Sequence, residues 1–328
     1  MLILNAEDVR RALPMQDAIE AMKSAYASLS DGRAESPLRT RLSVPPHEGL
    51  VLFMPAYVQA ETDEALAVKI VSLFPENPKR GLAFIQAAVL VLEADTGHAL
   101  ALLEGSSLTA IRTGAGSGAA MDFLSRRDSR VLAVFGAGAQ ARTQMEAACT
   151  VREIETVWVY DSNPGQSRKF AAEISGGPIQ REVRVAESPV QAAKDADIIC
   201  TATTSTSPVF ADVNLKRGAH ISAMGSYTPE MQEVPAETIQ RARVVVDSRS
   251  ATLAETGDLV KPIQAGLITE SHIYAELGEI VLGRKAGRQS DEEITYFKSV
   301  GVAVQDAMAA QLALKNAKKL GLGQEVEF

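Results

Sequence analysis

Residues 131–141 read Val-Leu-Ala-Val-Phe-Gly-Ala-Gly-Ala-Gln-Ala, an apolar run that breaks at two glycines and continues as small residues able to open a helix. At such a turn Gly136 permits the tight bend, Gly138 lets backbone approach a pyrophosphate, and Ala141 in the third place lets helix and strand pack closely. The first helical amides, around Ala139 and Gln140, then present the positive end of the helix dipole to phosphate. A lone Gly-x-Gly often marks only a turn, so the context decides. The next apolar run, 157–160, ends at Asp161, where a carboxylate accepts hydrogen bonds from the adenosine ribose. No arginine follows Asp161 directly to offset a 2′-phosphate, so NAD(H) is the expected dinucleotide; NADP(H) is the alternative, with Arg168 as the cation that would favour it.

Other reactive side chains fall at the ends of later apolar runs. Thr201, Ala202 and Thr203 begin a Thr/Ser stretch, and Met224-Gly225-Ser226 and Asp247-Ser248 follow at corresponding places. Their hydroxyls serve ribose or cap the following segment with equal ease. His47, His98, His220 and His272 are scattered without ligand spacing, so no metal is expected, and His220 reads as a packed strand histidine. Cys149 and Cys200 lack Cys-x-x-Cys spacing and read as two reduced, buried thiols.

The elements that must position these residues come in two rhythms. From residue 130 short apolar runs at 131–135, 156–160, 183–185, 197–201, 219–224 and 244–246 alternate with helical segments, the pattern of a parallel, doubly wound α/β sheet. Earlier, 8–29 has helical spacing interrupted by Pro14, while 42–44, 50–54, 66–71 and 87–92 read as strands of an antiparallel sheet with a hairpin turn at 93–97. Residues 108–124 form a small-residue helix beside the domain boundary, the chain turns helical after Asp247, and 300–320 is an Ala-rich helix returning toward the first domain. A length of 328 residues accommodates two domains. The net charge of −8 removes the general attraction that nucleic acid or an anionic membrane surface needs. The apolar runs are of strand length and the N-terminus meets Glu7 and Asp8 at once, so neither a membrane span nor a signal peptide is expected, and the location expected is cytoplasmic.

Taken together, Pro37-Leu-Arg39, Leu52-Phe-Met-Pro55, Val68-Lys69, Leu108-Thr-Ala-Ile-Arg112-Thr113, the 136–140 loop, Glu255-Thr-Gly257-Asp258, Glu276-Leu-Gly278-Glu279 and Phe297-Lys-Ser299-Val-Gly301 occur in an order that resembles the ornithine cyclodeaminase/mu-crystallin family over nearly the whole chain. The resemblance implies a homodimer and a substrate-binding and dimerisation domain of residues 1–118 and 302–328, with a Rossmann domain at 119–301. It also implies nicotinamide-dependent chemistry at the carbon–nitrogen bond of an amino or cyclic imino acid. The family's carboxylate-binding positions fall on Arg39, Lys69 and Arg112, and its cofactor contacts extend to Thr113 and Ser299. A guanidinium grips a carboxylate bidentately, and a lysine in a dry pocket exchanges protons. From the residues alone each has a plainer reading, since a lysine in an apolar strand usually points outward and Arg39, like Arg41, borders a loop.

One position departs from the family's pattern. Where cyclodeaminases carry an aspartate after the fifth Rossmann strand, this chain has Tyr227. A neutral phenol neither orients a terminal amine by charge nor serves as a comparable base at pH 7, so closure of ornithine is disfavoured. The expected reaction is NADH-dependent reduction of Δ1-pyrroline-2-carboxylate to L-proline, with Δ1-piperideine-2-carboxylate to L-pipecolate as the six-membered analogue and Tyr227 in the pocket wall. Alanine dehydrogenase is the enzymatic alternative, and a non-catalytic nucleotide-binding protein like the mu-crystallins is the alternative of another class.

Overall fold

The computed structural model describes residues 1–61, 63–175 and 181–327. Its contacts divide the chain into Met1–Arg112 with Val302–Phe328, and Thr113–Gly301, so the division falls inside the helix Gly105–Leu124.

The first unit is built on an eight-stranded sheet. Its order is Gln324–Glu325, Leu2–Leu4, Ala99–Glu104, Ile85–Leu92, Glu64–Leu73, Gly49–Gln59 and Ala34–Glu35, with Thr40–Val44 also paired to Gly49–Gln59. Every pair is antiparallel except Leu2–Leu4 with Ala99–Glu104, as the alternating runs predict. Alternation sets the faces: Ala65, Ala67, Lys69 and Val71 are buried, and the register places Lys69 in a row with Met54 and Val89. Helices Met15–Ser30 and Ala303–Leu320 cover that face. Alanines at 303, 307, 310 and 313 let the C-terminal helix lie close to the sheet. Pro14 separates the first two helices, Ala6–Ala12 and Met15–Ser30, the second of them long. On the opposite face Leu42 and Ile70 remain exposed.

The second unit carries eight parallel strands in the order Glu182–Val185, Thr156–Tyr160, Val131–Phe135, Ile198–Thr201, His220–Ala223, Thr295–Lys298, Arg243–Val246 and Ile273–Glu276. Alternate residues of one strand serve separate apolar clusters: Ala133, Phe135 and Ile199 join one, and Leu132, Val134, Ile198 and Cys200 the other. This is a doubly wound α/β domain. The strand order reverses between Val131–Phe135 and Ile198–Thr201, and in such sheets a crevice opens beyond the carboxyl ends at that reversal.

Two expectations need correction. The chain after Asp247 is not wholly helical, because Ile273–Glu276 and Thr295–Lys298 complete the parallel sheet. Four residues show no clear period, and all four of Thr295–Lys298 are buried, the charged Lys298 included. Of the two thiols, both free, Cys200 is buried but Cys149 only half-buried. His220 is the packed strand histidine expected, its ring nitrogens 2.9 Å from Thr295 Oγ1 and 3.0 Å from Ser222 Oγ. Among the described residues no helix is long and apolar enough to cross a membrane.

Candidate functional site

The glycine loop shows which of its small residues the fold itself requires. Gly136 has φ of +95°, and a Cβ there would lie 2.5 Å from the Ala202 carbonyl oxygen. Gly138 has an ordinary φ of −80° and a Cβ there would meet nothing within 4 Å. The chain has no need of a glycine at 138; a ligand lying against the backbone does. Gly138 also opens the helix Ala139–Val151 without a side-chain cap, leaving its first amides to bind something else. Ala139 is exposed, Gln140 half-buried and Ala141 buried against the core.

A cleft of about 550 Å³ opens here, lined by residues 136–138, Tyr160, Asp161 and 202–205 among others. Asp161 Oδ2 accepts a hydrogen bond from Ala137 N at 2.9 Å, and Oδ1 one from Asn163 N at 2.8 Å. Asn163, not Asp161, caps the next helix, through Gly165 N at 3.0 Å. The carboxylate is thus fixed to the glycine loop with lone pairs left over. None of the described lining residues is a lysine or arginine, and Arg168 is exposed and is not among them. That chemistry fits an adenosine ribose better than a 2′-phosphate.

The loops across the cleft converge on Glu233, which the sequence reading did not single out. Its carboxylate accepts hydrogen bonds from Thr201 Oγ1 (2.9 Å), Thr203 N (2.6 Å), Thr203 Oγ1 (2.8 Å), Gly225 N (2.7 Å) and Ser226 N (3.2 Å). Both threonine hydroxyls are therefore committed to the protein, and Thr201 is fully buried. The amides of Ala202, Thr203 and Ser205 also donate within the protein, so what 202–205 offers the cleft is chiefly backbone carbonyls. Burial pushes the Glu233 carboxyl up despite the pull of Lys298. Asp258 Oδ1 in turn accepts from Glu233 N at 2.7 Å, while its Oδ2 lies 3.2 Å from the buried Lys298 Nζ. Ser226 is buried, donating to Met231 O at 2.9 Å, whereas Met224, Gly225 and Tyr227 are half-buried. Burial raises the Tyr227 phenol above its ordinary value, so it is neutral at pH 7. Ser299 Oγ donates to Asp247 Oδ2 at 2.7 Å, and the same oxygen fixes the turn through Val300 N and Gly301 N. Thr113 is half-buried on the helix Gly105–Leu124, and its carbonyl accepts from Gln144 Nε2 at 3.4 Å.

In the first unit the structure brings Lys69 and Arg112 together. Lys69 points inward with 3% of its surface exposed, and Arg112 shows 5%, which overturns the outward reading of Lys69. Both contact Asp306, a second residue missed from sequence. Lys69 Nζ lies 2.6 Å from Oδ2 and Arg112 Nε 2.9 Å from Oδ1. Arg112 Nη1 donates to Gln305 Oε1 at 3.0 Å, and Gln305 Nε2 donates to Tyr26 Oη at 2.7 Å. The missed signal is an acid inside the apolar face of a helix, with Ala303, Ala309 and Ala310 three and four residues away. Burial pushes Lys69 down to about 7, Asp306 pulls it back up, and Arg112 and Arg39 press it further down. Arg39, half-buried, thus stands close enough for its charge to reach Lys69. Burial raises the Asp306 carboxyl, but Arg112 and Lys69 more than offset this and leave it below its ordinary value. Two cations and one anion make a buried, net positive core.

The chain is similar over its whole length to proteins of known activity. Over the full length of both chains the protein is 42% identical to the Δ1-pyrroline-2-carboxylate reductase of Bacillus cereus. The Thermococcus litoralis Δ1-pyrroline-2-carboxylate reductase, solved in complex with NADH and L-proline, superposes with a TM-score of 0.94 at 44% identity, covering 99% of this chain and 100% of that one. An archaeal alanine dehydrogenase dimer with bound NAD superposes with a TM-score of 0.91 at 30% identity, covering 100% of this chain and 99% of that one. The family model for ornithine cyclodeaminase/mu-crystallin proteins matches residues 1–320, and the protein belongs to that family.

Proposed function

We propose that the protein is an NADH-dependent ketimine reductase that converts Δ1-pyrroline-2-carboxylate to L-proline, taking up one hydride and one proton and releasing NAD⁺. The observation that carries this reading is the buried core of Lys69, Arg112 and Asp306, whose excess positive charge suits a small substrate anchored by its carboxylate. The similarity to a reductase solved with NADH and L-proline supports the same substrate class. The six-membered ring of Δ1-piperideine-2-carboxylate has the same anchor and is the second substrate.

NADH, when bound, supplies the hydride that reduces the C=N carbon. The chain's part is to bind, orient and hold protons. Gly138 and the uncapped amides of Ala139 and Gln140 receive the pyrophosphate, and Asp161 accepts from the ribose hydroxyls. Thr113, Ala202, Thr203, Met224, Gly225 and Ser299 complete the cofactor's seat, chiefly through backbone carbonyls at 202–203, while Glu233 holds the loops rigid through the amides of Thr203, Gly225 and the buried Ser226. The buried hydroxyl of Thr201 braces that seat from behind. Arg112 and Arg39 grip the substrate carboxylate, and Tyr227 contributes a neutral wall. Lys69, buried and acidified, carries a proton on Nζ that it is able to release at neutral pH toward the imine nitrogen.

The dimeric archaeal relative, together with the exposed Leu42 and Ile70 on one face of the first sheet, supports a homodimer formed through that face. The expected place of action is the cytoplasm. Purified protein given NADH and Δ1-pyrroline-2-carboxylate is expected to form L-proline in step with NADH consumption. Binding of NADH without turnover on cyclic imines, oxo acids or ornithine would instead support a binding protein.

A further inference from the structure

Asp306 does more than neutralise charge. Each of its oxygens serves one cation, Oδ2 meeting Lys69 and Oδ1 meeting Arg112, so the carboxylate bridges a strand residue to a helix residue. The bridge is itself anchored. Gln305, the preceding residue, accepts from Arg112 Nη1 and from Val302 N at 2.9 Å and donates to Tyr26 Oη. One turn of the helix Ala303–Leu320 therefore holds Arg112 at two of its nitrogens and Lys69 at its only one.

Two cations buried side by side repel, and they answer that repulsion differently. An arginine keeps its proton, whereas a desolvated lysine gives it up. The charged and titratable groups that face Lys69 are Asp306 from the C-terminal helix, Arg112 from the helix Gly105–Leu124 and Arg39 from the segment before the strand Thr40–Val44. Tyr26 stands behind Gln305, and the flanking strands present only Met54 and Val89 in register. Asp306 is the single anion among them. Resting on the imino-acid reading of this site, we propose that Asp306 is its positioning residue, holding Lys69 charged for the imine nitrogen and Arg112 oriented for the substrate carboxylate.

The test is Asp306→Asn in the full-length protein labelled with 13C-lysine, where the Lys69 resonance is identified by its loss in Lys69→Arg. Without the anion, Lys69 is expected to lose its proton at least about one pH unit lower than in the parent. The alkaline limb of kcat/KM for Δ1-pyrroline-2-carboxylate is expected to shift to lower pH with it, KM to rise and NADH affinity to stay the same. A Lys69 resonance that titrates at the parental pH overturns the proposal. Should the Asn variant not fold, Asp306→Glu decides: the charge is kept but displaced by a methylene, so Lys69 titrates within about half a unit of the parent while KM rises at least about fivefold. An unchanged KM contradicts the bridge. The NMR titration needs no substrate, so a failure of the imine reading and a failure of the Asp306 proposal remain distinguishable.

Discussion

Among single residues, Lys69 and Asp161 carry opposite charges in the two units of the chain, and each serves a different ligand in the proposed reaction. Lys69→Met is expected to lower kcat/KM for the imino acid by about 10²–10³-fold, the cost of removing one partner of a desolvated, charge-assisted contact, while NADH affinity changes less than about twofold. Steady-state kinetics beside a fluorescence titration with NADH separates the two. Because burial holds Lys69 at about 7, its charged form prevails below that pH. Since that form carries the proton for the imine nitrogen, kcat/KM for the parent is expected to fall as pH rises through about 7. A flat profile across that range removes Lys69 from the step. Asp161→Ser removes the carboxylate that repels a 2′-phosphate and is expected to shift the NADPH-to-NADH preference by about tenfold or more toward NADPH. An unmoved ratio counts against its ribose role.

At the scale of elements, the two loop glycines make separable predictions. Gly136→Ala forces a side chain into a positive φ and against the Ala202 carbonyl, and is expected to destabilise the fold by about 1–3 kcal/mol. Gly138→Ala adds a Cβ that meets no protein atom within 4 Å, so Tm is expected to hold while NADH affinity falls. The same contrast explains what was legible in the sequence. The glycine turn, Asp161 and the first six parallel strands announce themselves locally, through turn residues and short apolar runs. The strands Ile273–Glu276 and Thr295–Lys298 do not, because four fully or partly buried residues leave no period to read. Glu233 and Asp306 stayed hidden for a different reason. Each acts through contacts distant in sequence, Glu233 with Thr201 and Thr203, and Asp306 with Lys69, and one sequence shows the acid without its partners. By sequence the threonine hydroxyls suit ribose and protein equally, and in the fold the carboxylate of Glu233 takes them.

At the scale of the whole molecule, one chain supplies a net positive anchor in Met1–Arg112 with Val302–Phe328 and a dinucleotide cleft in Thr113–Gly301. The proposed dimer predicts a solution mass near twice 35.0 kDa by light scattering. Leu42→Glu, on the exposed sheet face, is expected to shift that mass to the monomer; a parent already monomeric ends the dimer proposal. Tyr227 in place of an acid argues against ring-closing deamination, and a rival within the family is condensation of an open-chain oxo acid with ammonia. Both reactions need only a carboxylate anchor, so the substrate itself must decide. The direct measurement is NADH oxidation by one enzyme preparation on Δ1-pyrroline-2-carboxylate and on pyruvate with ammonium, compared as kcat/KM. A preference of at least about tenfold for the cyclic imine, a transition-state difference of about 1.4 kcal/mol, is the result predicted. Faster turnover of pyruvate with ammonium would contradict it.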